Sequence, residues 1–483
     1  MSVSNDTEQI NENEKLGLPE KITFGIGDFG ANYSWTFIAS FITIYMTDVV
    51  GIAGAVIGTI ILICRFADGF SDLFMGSIID NTNTKMGKAK PWVFWTAPIL
   101  GILTFLLFNV PQSLGDTGKI IYIFSIYFLI SVVFYTANNV AYSSLISFMT
   151  KNDTDRISLG SIRFIFSNLS VLCISTFTTY LVSGFGDNQQ GWTYTAMIYA
   201  ALCAIPLMIT GYFVKERNVA TKQYKETSKN TNDNTNKEKN KNKRIPFTLI
   251  LKVLITEKYF VIAIVLYLLW YLRQTDNSMR IYYATYIFKE PNIMAILSIA
   301  TLVPTILGLL FAAKFAEKVG IKQSIIIGII ISIISYVVMA VFSENLTMLV
   351  IGLAIHGVGL VPFTAALSGI VADIGDIIYW KTGVPVQGSV FSLASAGMKI
   401  GSGLQSAIVG WSLSIGGYVA GATIQSESTI FAIKAMQIYF PLAMVTLILI
   451  FTLFLNYEKF IGKVKKQIRN NEVGELRNKQ IYK

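Results

Sequence analysis

The sequence predicts an all-α polytopic membrane protein, with about twelve transmembrane helices in two pseudo-symmetric bundles of about six. Three observations predict it. Of 483 residues, 53% are hydrophobic and only 14% charged, whereas an ordinary soluble domain carries about 25% charged residues. Apolar runs of membrane-spanning length recur along the chain, and a span needs about 20 such residues. A polar interval near the middle divides those runs into two equal groups. This composition excludes a soluble enzyme, a secreted disulfide scaffold and a single-anchor receptor.

The runs fall near 22–48, 52–79, 92–111, 118–148, 158–185 and 192–214, and then near 257–288, 293–315, 322–343, 347–372, 388–417 and 431–456. Each is bounded by polar residues or by Gly and Pro. Trp92, Trp192 and Tyr212 stand near predicted ends, where interfacial aromatic anchors belong. A polar tail (1–21) precedes the first half (22–214). A Lys/Asn/Thr/Glu segment (215–246) without apolar periodicity is expected to be a disordered linker. The second half (247–456) is followed by a basic tail (457–483).

The net charge of +10 would suggest a polyanion partner on a soluble surface. Here the basic residues sit in alternate loops: Lys85, Lys88 and Lys90; Lys151 and Arg156; Lys314, Lys318 and Lys322; and Lys381. The opposite loops offer only Lys119, Lys289 and Lys434. The positive-inside bias places both termini in the cytoplasm of a cell-membrane protein, and no nucleic-acid partner is expected. The N-terminus lacks the basic and apolar regions of a signal peptide. Cys64, Cys173 and Cys203 lie in apolar runs and His356 is the single histidine, so no disulfide or metal cluster is expected.

The halves echo one another. Gly76-x-x-x-Asp80 and then Gly87-Lys88-Ala89-Lys90 follow the second run. Ala313-x-x-x-Glu317-Lys318 and then Gly320-Ile321-Lys322 follow the eighth. A repeat of this kind is the architecture of major-facilitator carriers.

Ionisable residues inside spans are costly, at about 2.5–3.5 kcal/mol each on insertion scales, and so mark cavities or partners. Arg65, Asp68 and Asp72 share one helical face. Two carboxylates a turn apart can hold a hard cation, or one can keep a proton because the other is ionised. A structural ion-pair stripe is the plain alternative. Lys399 lies too deep to snorkel and needs a partner, for which Asp68 and Asp72 are candidates. Arg273, Asp276 and Arg280 form either a site for an anionic group or an ion-pair stripe. Arg163, nearer an end, is either an anchor or a site residue. Asn32, Asn138, Asn139, Tyr135 and Tyr142 offer the donors and acceptors that sugar hydroxyls need, or else interhelical hydrogen bonds. His356 reads as a satisfied buried imidazole. No phosphate-cradling loop and no hydrolytic triad is present, so the chain is read as no enzyme, without cofactor, driven by an ion gradient.

These motifs resemble a known family. Arg65-Phe66-Ala67-Asp68-Gly69-Phe70-Ser71-Asp72, followed by MGSIIDNTNTKMGKAKPW, stands with GIGDFGANY, YMTDVVGI, YTANNVAYSSL and ADIGDIIYWKTG. Together they are similar to the glycoside–pentoside–hexuronide:cation symporters, the melibiose-carrier type of the major facilitator superfamily, from about Leu16 to Tyr457. The resemblance implies cation ligands at Asp68 and Asp72 with Thr136 nearby, and sugar contacts at Asn32, Tyr135, Asn139 and Arg163. It implies a lysine linking the two sites at Lys399, and a cytoplasmic gating loop with Asp373, Asp376 and Lys381. Departures from the melibiose pattern are Asn32 and Asn139 in place of acids, Ser143 for tryptophan, Ser71 for asparagine and Pro385 for arginine. They leave Na+ and H+ both open as the coupling ion, and admit a uronide or pentoside as substrate. The expected partners are a sugar or glycoside, a monovalent cation and the lipid bilayer, with the chain acting as a monomer. Exchange or export of an organic anion is the alternative.

Overall fold

The computed structural model describes residues 16–150, 153–217, 253–383, 387–422 and 424–469. The tail before 16, residues 218–252 with most of the expected linker (215–246), Lys151, Pro385 and the chain beyond 469 lie outside the described residues.

No strand forms among the described residues. The elements are α1 (Leu18–Ile44), α2 (Gly54–Asn81), α3 (Lys90–Leu107), α4 (Asp116–Phe128), α5 (Tyr135–Met149), α6 (Asp153–Gly184) and α7 (Gln189–Phe213). They continue with α8 (Lys258–Arg273), α9 (Thr275–Tyr282), α10 (Ile293–Val319), α11 (Ile321–Val341), α12 (Leu346–Thr382), α13 (Gln387–Ile415), α14 (Glu427–Lys434), α15 (Phe440–Leu453) and α16 (Glu458–Arg469). Wider π segments extend α1 (Tyr45–Val49) and α9 (Tyr283–Ile287), and join α4 to α5 (Leu129–Phe134) and α14 to α15 (Ala435–Tyr439).

Nine helices among the described residues are long and apolar enough to cross a membrane. The expected runs at 22–48, 257–288 and 388–417 are not among them. Gly, Ser, Asn and charged residues dilute α1 and α13. The run at 257–288 is interrupted at Gln274, which separates α8 from α9. Large apolar side chains such as Phe74, Trp95, Leu310, Phe311 and Val341 are exposed on helix faces, as a lipid-facing surface requires.

Contacts divide the chain into two units. The first takes Met1–Ile38, Phe70–Ile174 and Phe185–Asn242, and the second takes Ala39–Gly69, Ser175–Gly184 and Lys243–Lys483. Within the first, α3 and α7 pack along their length. The run GIGDFG on α1 lies against its neighbours: Gly25 faces Ile162 and Phe166 of α6, Gly27 faces Tyr142 of α5, and Gly30 faces the Cys203 carbonyl of α7. A side chain at any of the three would hold the helices apart. Within the second unit, α12 packs on α10 and α11. The start of α2 closes on α13, where Gly54 meets Gly410 and Gly58 meets Ala407.

The sequence echo has a structural counterpart in each unit. In the first, Gly87 adopts φ 117°, and the Glu216 carboxylate accepts the amides of Lys88, Ala89 and Lys90 at 2.8 Å. Lys90 Nζ donates to Tyr212 O at 3.1 Å. In the second, Gly320 adopts φ 95°, Glu458 accepts the Lys322 amide at 2.7 Å, and Lys322 Nζ donates to Leu453 O at 2.7 Å. Both glutamates follow the last long helix of their half and stabilise a helix N-terminus, where negative charge is favoured.

Candidate functional site

Within the first unit, α1, α5 and α6 converge on a polar cluster. Arg163 of α6 donates from Nε to Asp28 Oδ1 at 2.9 Å, from Nη1 to Ser143 Oγ at 2.9 Å and from Nη2 to Asn139 Oδ1 at 3.2 Å. Asn32, one turn after Asp28, donates to Asp28 Oδ2 at 3.0 Å and to the Asp28 carbonyl at 2.8 Å. The guanidinium lies over the Tyr142 ring, 5.1 Å from its centroid. Tyr142 is fixed by stacking on Phe24 and donating to the Phe24 carbonyl at 2.5 Å. Trp35 and Tyr135 stack with centroids 4.4 Å apart beyond this cluster on the same two helices. Arg163 therefore turns inward instead of snorkelling to an interface.

Three expected sugar-site residues, Asn32, Asn139 and Arg163, are thus brought together. Asn138 is not among them; it donates to Thr96 Oγ1 at 2.8 Å and to the Val93 carbonyl, joining α5 to α3. Asp28 and Ser143 join the cluster without having been expected there as ligands. The signal for Asp28 was the run of glycines around it, since only close helix packing makes a buried acid reachable from α6.

Asp68 lies in the second unit and Asp72, one turn later on α2, in the first. Lys399 of α13 donates to Asp68 Oδ1 at 2.9 Å and to its carbonyl at 3.2 Å. Arg65 approaches the other carboxylate oxygen at 3.6 Å. Gly403, one turn beyond Lys399, rests on the stem of Arg65. Asp68 is thus the acid that the deep lysine requires. Beside Asp72, Ser71 donates to the Val132 carbonyl at 2.5 Å. Val132 belongs to the π segment Leu129–Phe134, where the wider turn frees backbone acceptors, a feature common at functional sites. Buried Thr136 follows directly and donates to the Ser131 carbonyl at 3.0 Å.

The stripe of Arg273, Asp276 and Arg280 departs from the regular helical face expected for it, because the helix breaks at Gln274. Gln405 Nε2 of α13 donates to the freed Gln274 carbonyl at 3.3 Å, and Thr275 donates to the Met436 carbonyl at 2.8 Å. Asp276 is shared by Arg273 at 3.5 Å and Arg280 at 3.9 Å, and accepts from Tyr336 at 3.3 Å. His356 Nε2 meets Arg273 at 3.1 Å and Tyr336 at 3.2 Å, while its Nδ1 has no hydrogen-bond partner. The imidazole is therefore buried but not fully satisfied.

The expected gating loop is also different. Helix α12 runs on to Thr382, so Asp373, Asp376 and Lys381 lie on its last turns. No proline falls between residues 372 and 382, the single Gly375 is tolerated within the helix, and Gly383, at φ 66°, ends it as a left-handed cap. Asp373 pairs with Lys465 of α16 at 2.6 Å, and Lys381 with Glu257 at 2.8 Å.

Comparison with known proteins agrees with this architecture. The profile of the family described as MFS/sugar transport protein matches residues 23–459. The chain belongs to that family. An isoprimeverose transporter of Lactiplantibacillus pentosus is 28% identical, covering 94% of this chain and 92% of that protein. A glucuronide carrier protein homolog of Escherichia coli (strain K12) is 25% identical over 87% of this chain and 89% of its own length. A crystal structure of a mutant of the nucleoside transporter NupG superposes with a TM-score of 0.64 at 18% identity, over 90% of this chain and 100% of that one. That likeness establishes the fold. The carrier is a multi-pass membrane transporter and not an enzyme, and the resemblance to the glycoside–pentoside–hexuronide:cation symporters stands.

Proposed function

We propose that the carrier imports a sugar or glycoside together with Na+ or H+ across the cell membrane, by alternating access between halves 22–214 and 247–456. The reading is of a monomer with both termini in the cytoplasm. The observation that supports it most is the contact of Lys399 with Asp68. An ammonium held by a carboxylate deep among apolar helices occupies the place a coupling cation would take. When a cation reaches Asp68 and Asp72, with Thr136 as a neutral oxygen donor, Lys399 is released to meet a substrate hydroxyl. Cation and sugar then favour each other's binding, and linkage makes that effect equal in both directions. Asn32, Asn139, Arg163 and Tyr135 are read as the sugar contacts, the Trp35–Tyr135 stack offering an aromatic face to the ring. Asp373, Asp376 and Lys381 are read as inner-gate residues on α12.

Export or exchange of an organic anion would draw on unspent arginine charge. Arg163 is neutralised by Asp28, and the one positive charge that Arg273 and Arg280 carry beyond Asp276 is buried among neutral groups, so import is the better reading. Counterflow in proteoliposomes with a panel of glycosides, under Na+, Li+ or H+ alone, tests substrate and ion together. Asp72→Asn is expected to abolish gradient-driven accumulation. Intact accumulation by that variant would remove the cation assignment.

A further inference from the structure

We propose that the cluster around Asp48 is a proton-binding site: the carrier keeps one proton there while this end is closed, and gives it to outside water on opening. Release on opening rests on the reading of alternating access with both termini in the cytoplasm, which makes this seam the outer gate. That the closed cluster holds a proton stands on its own geometry.

Five side chains of the second unit meet here. Asp48 stands fourth in the π segment Tyr45–Val49 that extends α1, and Tyr286 fourth in the π segment Tyr283–Ile287 that extends α9. Tyr418 follows the end of α13, and Thr47 and Tyr282 complete the group. Their oxygens make five contacts. Asp48 Oδ2 lies 2.7 Å from the Tyr286 hydroxyl, while Oδ1 meets the Tyr418 hydroxyl and, at 2.7 Å, Thr47 Oγ1. The hydroxyls of Tyr286 and Tyr418 are 2.6 Å apart, and those of Thr47 and Tyr282 2.9 Å. Such separations are those of O–H···O bonds, each of which needs one hydrogen.

The four hydroxyls carry one hydrogen each, and an ionised Asp48 carries none. Five bonds need five. If both phenols donate to an ionised carboxylate, the contact between them holds no hydrogen and sets lone pair against lone pair. Thr47 also faces the Ile44 carbonyl at 3.2 Å, which adds an acceptor and no hydrogen. A proton on Asp48 Oδ2 completes the set. Oδ2–H donates to Tyr286, Tyr286 to Tyr418, Tyr418 and Thr47 to Oδ1, and Tyr282 to Thr47. Every hydroxyl then donates once, and Oδ1 accepts on both lone pairs. No Lys or Arg pairs with Asp48 among the described residues. The titratable groups facing it are Tyr282, Tyr286 and Tyr418, and Gln425 beside Tyr286 is neutral.

Opening draws Asp48 away from the tyrosines and admits water. The Oδ2–H bond breaks, the proton passes to water at the outer face, and a hydrated carboxylate remains, the usual state of an aspartate at neutral pH. Closing takes one proton back. The closed form therefore binds one proton more than the open form, so a rise in external pH favours opening and a fall favours closure.

Infrared spectroscopy of the full-length protein in lipid vesicles at neutral pH tests this through the C=O band of a protonated carboxyl. Each spectrum is read as the difference from the same protein carrying Asp48→Asn. That amide donates from Nδ2 and accepts at Oδ1 as the protonated acid does, so it keeps the ring. Held closed by a disulfide in Ala55→Cys/Ser414→Cys, the carrier should show the band, shifted in deuterated water. Tyr286→Phe breaks the ring and should lose it. Gly58→Trp, whose side chain wedges α2 away from Ala407 of α13, should lose it as well. Absence of the band from the closed carrier would overturn the inference and leave the transport reading standing. A band kept in Gly58→Trp would overturn release on opening. Undiminished counterflow by the cross-linked carrier would show that the seam is no gate, and would overturn that reading together with proton release. Should Asp48→Asn not reach the membrane, Tyr286→Phe becomes the reference spectrum and the same outcomes decide.

Discussion

Two guanidinium groups share one carboxylate at Asp276, and both separations, 3.5 and 3.9 Å, are long for an ion pair. The balance of the cluster comes from neutral groups: Tyr336 and His356 around Arg273, and Ser298 and Asn277 around Arg280. Removing one member of a buried charge pair strands the other, at about 3–5 kcal/mol. Asp276→Asn is therefore expected to lower thermal stability in detergent by about that amount, with Asp276→Glu recovering most of it. An unchanged melting temperature would show that solvent, not Asp276, balances the arginines. Depth in the sequence was enough to single out these three residues and Lys399, because a charge far from a span end must have a partner. It could not say which partner. Asp28 escaped because, near the start of α1, it carries no such depth signal; only the fitted helices show Arg163 reaching it.

At the scale of elements, the long apolar runs were legible because hydrophobic length is the main constraint a bilayer imposes. Interruptions were not. The break at Gln274 leaves no Pro or Gly in the sequence, and is held open by Gln405 and by the Thr275–Met436 contact, which come from distant helices. The repeat in the two basic loops was faint in sequence for a similar reason. Its shared physics lies in Glu216 and Glu458, each more than a hundred residues from the loop it stabilises. These clamps predict local effects. Glu458→Gln should accelerate amide exchange of Lys322 and the first turn of α11 by about tenfold or more, the value of a lost charge-assisted hydrogen bond of about 1.5–3 kcal/mol. The first turn of α3, held by Glu216, should be unaffected. Equal acceleration in both places would mean that the clamps do not act independently.

For the whole molecule, the telling fact is that Ala39–Gly69, from the first half of the sequence, packs within the same unit as the second half. Its contacts there form a seal. Asp48 meets Tyr286 at 2.7 Å and also Tyr418, and Tyr286 and Tyr418 meet at 2.6 Å. Burial, then neighbouring Tyr282 and Asp48, push the Tyr418 phenol well above its ordinary range, so it remains a donor. Below the Asp48 cluster, the Ala55 amide donates to Ser414 Oγ at 2.9 Å and Trp411 Nε1 to Thr59 Oγ1 at 3.2 Å. The glycine contacts at Gly54–Gly410 and Gly58–Ala407 bring the backbones of α2 and α13 close together. If transport proceeds by alternating access, this seam must open in every cycle. An Ala55→Cys/Ser414→Cys pair, with Cys64, Cys173 and Cys203 replaced by Ser, should cross-link readily and reduce uptake to background. Substrate binding from the other side should persist while the bond is intact, and reduction should restore uptake. Full transport by the cross-linked protein would show that the seam is a fixed part of the fold and that the moving interface lies elsewhere.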